Sequence, residues 1–148
     1  MYHHLCLPTD GSPLSDHAID QALVLAHQLR ARVTALSVTA PYHVFAVTPE
    51  QMAAVRDDYE REARDAARRH LRTVESRAHA LDVPCESVVI EDEHPHEAII
   101  AIANERGCDL IAMASHGRRG LKGLVLGSQT VKVLTRSTIP VLVYRQPG

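Results

Sequence analysis

Short apolar runs alternate with longer segments of mixed polarity along the whole chain. The runs are dominated by Val, Leu and Ile, which is typical of strands that are buried on both faces of a sheet. In the longer segments apolar residues such as Ile19, Leu23 and Ala26 recur every three or four positions, which indicates amphipathic helices. Proline or glycine stands near most boundaries, so the two kinds of segment are clearly separated.

In chain order, the pattern predicts five strands and four helices. We expect strands at residues 4–8, 32–39, 83–90, 110–114 and 140–144, and helices at about 13–30, 48–81 and 95–107 and from about 128 onwards. Ser12-Pro13 and Thr48-Pro49 are typical helix starts, with a capping residue before a proline at the first helical position. Strict alternation predicts an α/β fold in which helical crossovers join parallel strands and cover both faces of the sheet.

Composition narrows the class of protein. A chain of 148 residues is expected to form one domain, residues 1–148. Charged residues make up 23% and the net charge is −2, which argues against disorder and against a strongly basic nucleic-acid-binding protein. No apolar run approaches the ~20 residues of a membrane span, and no signal peptide is recognisable. Three widely spaced cysteines without a CxxC motif favour a reducing cytoplasm.

The segment after the fourth predicted strand is the richest in candidate chemistry. It holds four glycines between residues 117 and 127, together with Arg118, Arg119 and Lys122. Gly127-Ser128 stands where a helix is expected to begin, and free N–H groups at such a terminus favour anions. The segment therefore predicts a phosphate site, unless it is only a flexible loop with basic side chains. The GxxxxGK[ST], GxGxxG and GxSxG motifs are absent.

This segment resembles the signature Gly-x2-Gly-x9-Gly-Ser/Thr of the universal stress protein family. Ala114 stands at the first glycine position, followed by Gly117 and by Gly127-Ser128 at the family's spacing. The early Pro8-Thr9-Asp10-Gly11-Ser12 turn and the C-terminal strand extend the resemblance to the whole chain. It implies a five-stranded parallel sheet of order 3-2-1-4-5, with the adenine nucleotide alpha hydrolase-like architecture.

For the ATP-binding members, the resemblance implies a nucleotide cleft between strands 1 and 4. Asp10 would reach the ribose and adenine, Val38 would pack on adenine, and the glycine segment would hold the phosphates. The implied nucleotide-binding set is Pro8, Thr9, Asp10, Val38, Met113, Ala114, Ser115, His116, Gly117, Gly127, Ser128, Gln129 and Thr130. From its residues alone, Asp10 is equally suited to closing the turn by accepting backbone N–H groups.

The implied ligand is ATP, or AMP or ADP, with any Mg²⁺ carried by the phosphates, and the implied role is regulation in a stress response. No residue pattern suggests a nucleophile with a positioned base, so at most a slow ATPase is expected. Ala114 replaces the first motif glycine, and its methyl group favours the alternative of a protein-interaction dimer that binds no nucleotide.

The last predicted strand and the histidines complete the list of candidate features. The last predicted strand, with Val141, Leu142 and Val143, would lie at an edge of the sheet. The resemblance implies that a second copy of the chain covers this edge in a homodimer. The alternative is that the chain's own tail or loops cover it. Ten histidines include His3-His4 and His94-Pro95-His96, but none has the spacing of a metal site. We therefore expect these histidines to be solvated.

Overall fold

The computed structural model describes residues 1–42, 49–117 and 126–145. Its strands and helices alternate along the chain, and their bounds are β1 His4–Pro8, α1 Pro13–Leu29, β2 Arg32–Thr39, α2 Pro49–Ala80, β3 Cys85–Glu91, α3 Pro95–Glu105, β4 Leu110–Ala114, α4 Ser128–Arg136 and β5 Val141–Tyr144. The predicted succession of elements is therefore confirmed.

The strands form one parallel sheet in the order β3-β2-β1-β4-β5, as predicted. The central strand β1 pairs with β2 on one side and β4 on the other, so Leu5 lies opposite both Val33 and Leu110. The chain reverses its direction of progress across the sheet between β1 and β4. In such sheets ligands bind outside the carboxyl ends of the strands at this reversal.

Alternate residues of the strands feed two separate cores. Leu5 and Leu7 of β1 pack with the apolar faces of α1 and α2, where Leu23 and Val74 are fully buried. Cys6, between them in sequence, faces the second core, which contains residues of α3 and Val133 of α4. Because neighbouring residues of a strand point to opposite faces, α1 and α2 cover one face and α3 and α4 cover the other.

The first helix shows how its sequence sets both ends. Ser12 caps it, with the Ser15 N–H donating to the Ser12 hydroxyl at 3.2 Å, and Pro13 occupies the first turn. Arg30, which was predicted to be helical, instead has φ of 56° and ends the helix in a left-handed cap. The Arg30 N–H bonds to the His27 carbonyl at 3.2 Å, so the chain turns sharply into β2.

Two other predicted bounds also shift. The third strand begins at Cys85 rather than at residue 83, although Val83 is still buried, because the Val83 N–H bonds to the Ala78 carbonyl of α2 instead of to a strand. The last strand begins at Val141, since proline has no N–H to donate to a strand pair. The predicted cap at Thr48 and most of the glycine-rich segment, residues 118–125, lie outside the described residues.

Candidate functional site

A cleft of about 200 Å³ opens at the carboxyl ends of β1 and β4. Ten of the thirteen predicted nucleotide-binding residues line it: Pro8, Thr9, Asp10, Val38, Met113, Ala114, His116, Gly117, Gln129 and Thr130. The remaining lining residues are Ser15, Leu36, Pro95 and Ile99. Residues that are far apart in sequence thus meet at the point where the order of strands reverses.

The turn after β1 is held by its own side chains. The Gly11 N–H donates to the Thr9 hydroxyl oxygen at 3.2 Å, and the Ser15 hydroxyl donates to the same oxygen at 2.7 Å. The Ser12 N–H donates to Asp10 Oδ1 at 3.0 Å, so the carboxylate closes a local turn. These bonds fix the position of Asp10 before any ligand arrives.

This turn is also tied to α2. Thr9 Oγ1 lies 2.9 Å from His70 Nε2, and His70 Nε2 lies 3.4 Å from Asp16 Oδ1 in the first turn of α1. Arg77 extends the chain of contacts to Asp20 at 3.1 Å. The long second helix therefore contacts the cleft turn through polar groups as well as through the core.

The turn after β4 approaches the first turn closely at Gly117. A β-carbon built on Gly117 would collide with Asp10 Oδ2 and would lie 3.4 Å from Asp10 Cγ. Gly117 is not one of the glycines with positive φ, so the close approach of Asp10, rather than the backbone conformation, is what requires glycine. The absent side chain leaves the Asp10 carboxylate at the edge of the cleft.

Gly127 makes a different close approach. It caps α4 without a side-chain bond, and its N–H donates to the Ser115 carbonyl at 2.6 Å. A β-carbon there would lie 3.0 Å from His116 Cα and 3.1 Å from His116 Cβ. Gly127 thus packs against the turn after β4, and its small size lets α4 begin directly beside that turn.

Three predicted residues lie next to the cleft without lining it: Ser115, Gly127 and Ser128. Ser115 is buried and its N–H bonds to the Tyr144 carbonyl, while Ser128 is exposed at the start of α4. The Thr130 hydroxyl donates to the Ala114 carbonyl at 3.0 Å, so its proton is engaged within the protein. Arg118, Arg119 and Lys122, the predicted positive charges, lie outside the described residues.

Sequence reasoning missed the wall that α3 contributes. Pro95 and Ile99 lie one helical turn apart in α3, and both line the cleft. The sequence pattern places both only within the third predicted helix, which begins at Pro95. No motif marks them, because their position depends on how α3 packs across the sheet.

The expectation of solvated histidines is wrong for His4 and His96, which are both only 3% exposed. His96 lies in the first turn of α3 and bonds to residues of α4. His4 begins β1, at the end of the sheet opposite the cleft, where its Nε2 lies 2.7 Å from the Thr34 hydroxyl. Both rings are buried because each has a hydrogen-bonding partner inside the protein.

The polar cluster around His4 has perturbed ionisation. Burial lowers the pKa of His4, and the charge of Arg32 acts in the same direction. The Thr34 hydroxyl donates to Glu86 at 2.9 Å and, with Arg106, holds the pKa of that carboxyl below its usual value. This cluster lies at the amino ends of the strands, at the end of the sheet away from the cleft.

Three further features of the described residues concern metal ligands, thiols and membrane-spanning helices. In the part of the chain that the structure describes, no group of three or more His, Cys, Asp or Glu side chains could hold a metal ion. The three cysteines are free thiols. Among the described helices, none is both long and apolar enough to cross a membrane.

Comparison with known proteins agrees with this geometry. The family model for the universal stress protein family matches residues 1–145. The chain is 31% identical to universal stress protein YxiE of Bacillus subtilis over 98% of this chain and 100% of that protein. Its fold resembles hypothetical protein MJ0577 of Methanocaldococcus jannaschii, with a TM-score of 0.84 at 24% identity over 100% and 99% of the two chains.

A further similar structure is a universal stress protein family protein of Arabidopsis thaliana with AMP bound. Its TM-score is 0.66 at 15% identity, over 99% of this chain and 93% of that one, a likeness of fold alone. The family model and the relative of similar length carry the assignment: the chain belongs to the universal stress protein family.

Proposed function

We propose that this protein binds an adenine nucleotide, ATP or AMP or ADP, in the cleft between β1 and β4, and acts as a regulatory module in a stress response. The observation that carries the proposal is the convergence of ten predicted residues from four separate stretches of the chain, 8–10, 38, 113–117 and 129–130, on one cleft. A nucleotide-bound relative of the same family supports the choice of ligand.

The walls of the cleft suit a nucleobase. Val38, Ile99 and Met113 provide an aliphatic surface, and no aromatic ring other than His116 is among the lining residues that the structure describes. An adenine ring would therefore pack on aliphatic groups and be oriented by polar groups at the edges. Asp10, held by the Ser12 N–H, is placed to accept hydrogen bonds from the sugar or base.

The phosphates would extend towards α4. The cleft of about 200 Å³ is smaller than the ~300–1,000 Å³ typical of ligand pockets, so it accommodates a nucleoside more readily than a whole triphosphate. The first turn of α4 offers free backbone N–H groups, which favour anionic oxygens. The described residues offer no metal-binding cluster of their own, so any Mg²⁺ would be held mainly by the phosphate oxygens. There it would neutralise part of the phosphate charge.

The proposed role is binding more than catalysis. The hydroxyl proton of Thr130 is given to the Ala114 carbonyl, and the Ser15 hydroxyl proton is given to Thr9. Neither hydroxyl is arranged as a nucleophile beside a base. Any hydrolysis of ATP is therefore expected to be slow.

The decisive experiment uses protein purified without added nucleotide. Small molecules released by heating are identified by mass spectrometry, and ATP with Mg²⁺ is then titrated into the protein by calorimetry. We expect an adenine nucleotide in the released fraction, or saturable binding of added ATP. Absence of both would refute the proposal and favour the alternative of a family member that acts only through protein contacts.

Two variants of Asp10 sharpen this test. Asp10→Asn keeps an oxygen that can accept the Ser12 N–H, whereas Asp10→Ala removes it. We expect Asp10→Ala to weaken nucleotide binding more than Asp10→Asn, because it loses both the turn and the ligand contact. Equal affinity of both variants and the wild type would show that Asp10 does not contact the ligand.

We also propose a cytoplasmic homodimer joined through β5. Among the described strands, β5 pairs only with β4 and so forms one edge of the sheet. Val131 and Leu134 of α4, the helix beside β5, are 44% and 42% exposed and extend the apolar surface. Pairing of two β5 strands would cover both features.

The mass in solution tests the dimer. The chain has a mass of 16.3 kDa, so light scattering after size exclusion should report about twice that value. Val143→Glu should shift the mass towards the monomer, whereas Val55→Glu, on the exposed surface of α2, should not. A wild-type monomer at micromolar concentration would contradict the proposal.

A further inference from the structure

His96 makes three hydrogen bonds with two residues of α4, although it belongs to α3. Its backbone N–H donates to Gln129 Oε1 at 3.0 Å, and its ring Nδ1 lies 3.1 Å from the same oxygen. Its other ring nitrogen, Nε2, lies 3.0 Å from Arg136 Nη1. The ring is 3% exposed, whereas Gln129 is half-buried and lines the cleft.

These contacts settle which atoms donate. A backbone N–H is always a donor, so the Gln129 atom that faces it must be the amide oxygen. Nδ1 of His96, which faces that same oxygen, must therefore carry its proton. Arg136 can only donate, so the Nε2 that faces it accepts, and the ring hydrogen of His96 lies on Nδ1.

The orientation of the Gln129 amide follows directly. Its oxygen accepts two N–H groups from His96, so rotating the amide by 180° would set donors against donors. Neither of the hydrogen bonds of Gln129 within the described part of the chain uses the amide nitrogen. The two N–H groups on Gln129 Nε2 therefore point away from His96, and Gln129 itself lines the cleft.

We propose that Gln129 is a specificity-determining residue that donates hydrogen bonds to a phosphate oxygen of the bound nucleotide, and that His96 positions it. Gln129 lies in the first turn of α4, beside Gly127 and Ser128, where an anionic oxygen is favoured. The inference rests on the proposed nucleotide function. It names Gln129 as the side chain that distinguishes a nucleotide, which has a phosphate, from its nucleoside, which has none.

The test compares ATP with adenosine in calorimetric titrations. Gln129→Leu removes both donors and is expected to weaken ATP binding roughly tenfold to hundredfold, the value of a hydrogen bond to a charged group. Gln129→Glu keeps the oxygen that faces His96 but replaces the donors with a charged acceptor, so it should weaken ATP binding at least as much. Adenosine should bind each variant as it binds the wild type. Gln28→Leu, on the exposed side of α1, is the control and should change neither affinity.

His96 is tested through Gln129. His96→Phe removes the ring donor and should weaken ATP binding a few-fold in the wild-type background, but should add nothing to Gln129→Leu. His96→Asn can place an amide N–H near the position of Nδ1–H and should restore most of the lost affinity. A side-chain amide resonance assigned to Gln129 by NMR should shift on adding ADP and not on adding adenosine.

The outcomes separate this inference from the proposed function. If the wild type binds no adenine nucleotide, the proposed function itself fails. If the wild type binds ATP and Gln129→Leu binds it equally well, only the role of Gln129 is refuted. Equal losses for ATP and adenosine would overturn the phosphate assignment, and additive losses from His96→Phe and Gln129→Leu would refute positioning by His96.

Discussion

Replacing Gly127 with alanine separates a packing role from a ligand role at the start of α4. The added β-carbon would lie 3.0 Å from His116 Cα and 3.1 Å from His116 Cβ, both shorter than ordinary van der Waals contact. These atoms belong to the turn after β4, which cannot rotate away as a side-chain end can. Gly127 has φ of −73°, which alanine adopts without strain, so contact is the main cost.

The magnitude follows from two opposing effects. Overpacking of a well-packed site costs about 1–3 kcal/mol. Replacing glycine with alanine at an allowed φ recovers about 0.4–1 kcal/mol by restricting the unfolded chain. Taking the middle of each range, the net loss is about 1.3 kcal/mol of unfolding free energy, or roughly 3–5 °C in melting temperature for a chain of this length.

Urea unfolding followed by far-ultraviolet circular dichroism measures this loss. Gly117→Ala is the matched comparison, because among the described residues its β-carbon would meet the carboxylate of Asp10 alone, which is the end of a side chain. Gly117→Ala should keep most of its stability and lose nucleotide affinity, since Asp10 must move. A stable Gly127→Ala beside an unstable Gly117→Ala would refute this reasoning.

Two further changes test the buried polar groups. For His4, burial lowers the folded pKa below its ordinary value of 6.5, so the unfolded chain takes up a proton first as the pH falls. The contribution of His4 to the unfolding free energy is therefore present above about pH 6.5 and is lost as the pH falls below that value. His4→Gln cannot titrate and should flatten this part of the pH profile of unfolding free energy. The control variant His3→Gln should leave this part of the profile unchanged. Parallel profiles for the wild type and His4→Gln would contradict the assignment. Thr130→Val removes the 3.0 Å bond to the Ala114 carbonyl and should lower the unfolding free energy by about 1–2 kcal/mol. Thr135→Val, whose hydroxyl bonds within α4 at an exposed position, should change it little; equal losses would argue against a special role for Thr130.

Most of the fold was predictable because local signals agree with the global arrangement. The strands β1, β2 and β4 begin and end where their apolar runs do, and Ser12-Pro13 and Gly127-Ser128 mark two helix starts. Two of the errors fall at ends that are set by left-handed helix caps, at Arg30 after α1 and at Asp82 after α2. Val83 is apolar and buried like a strand residue, but its N–H is taken by the carbonyl of Ala78.

The candidate cleft was predictable from the carboxyl ends of the strands and from the family resemblance, which adds residues of α4 such as Thr130. The turns after β1 and β4 must meet at the reversal of the sheet, so their residues were found. Pro95, Ile99 and the buried ring of His96 belong to α3, whose register across the sheet is fixed by packing in the second core. Periodicity identifies the buried face of a helix but not which residues of that face reach a neighbouring cleft.

Asp10 shows why two interpretations that compete in the sequence can both hold in the structure. A carboxylate has two oxygens, so closing the turn with one leaves contact with a ligand compatible with the other. Oδ1 accepts the Ser12 N–H, while Oδ2 lies beside the space where a side chain at residue 117 would stand. The local bond fixes the side-chain rotamer and with it the position of the second oxygen. Glycine at 117 is then required by Asp10 and not by its own backbone, which means that the two positions should respond to substitution as a pair.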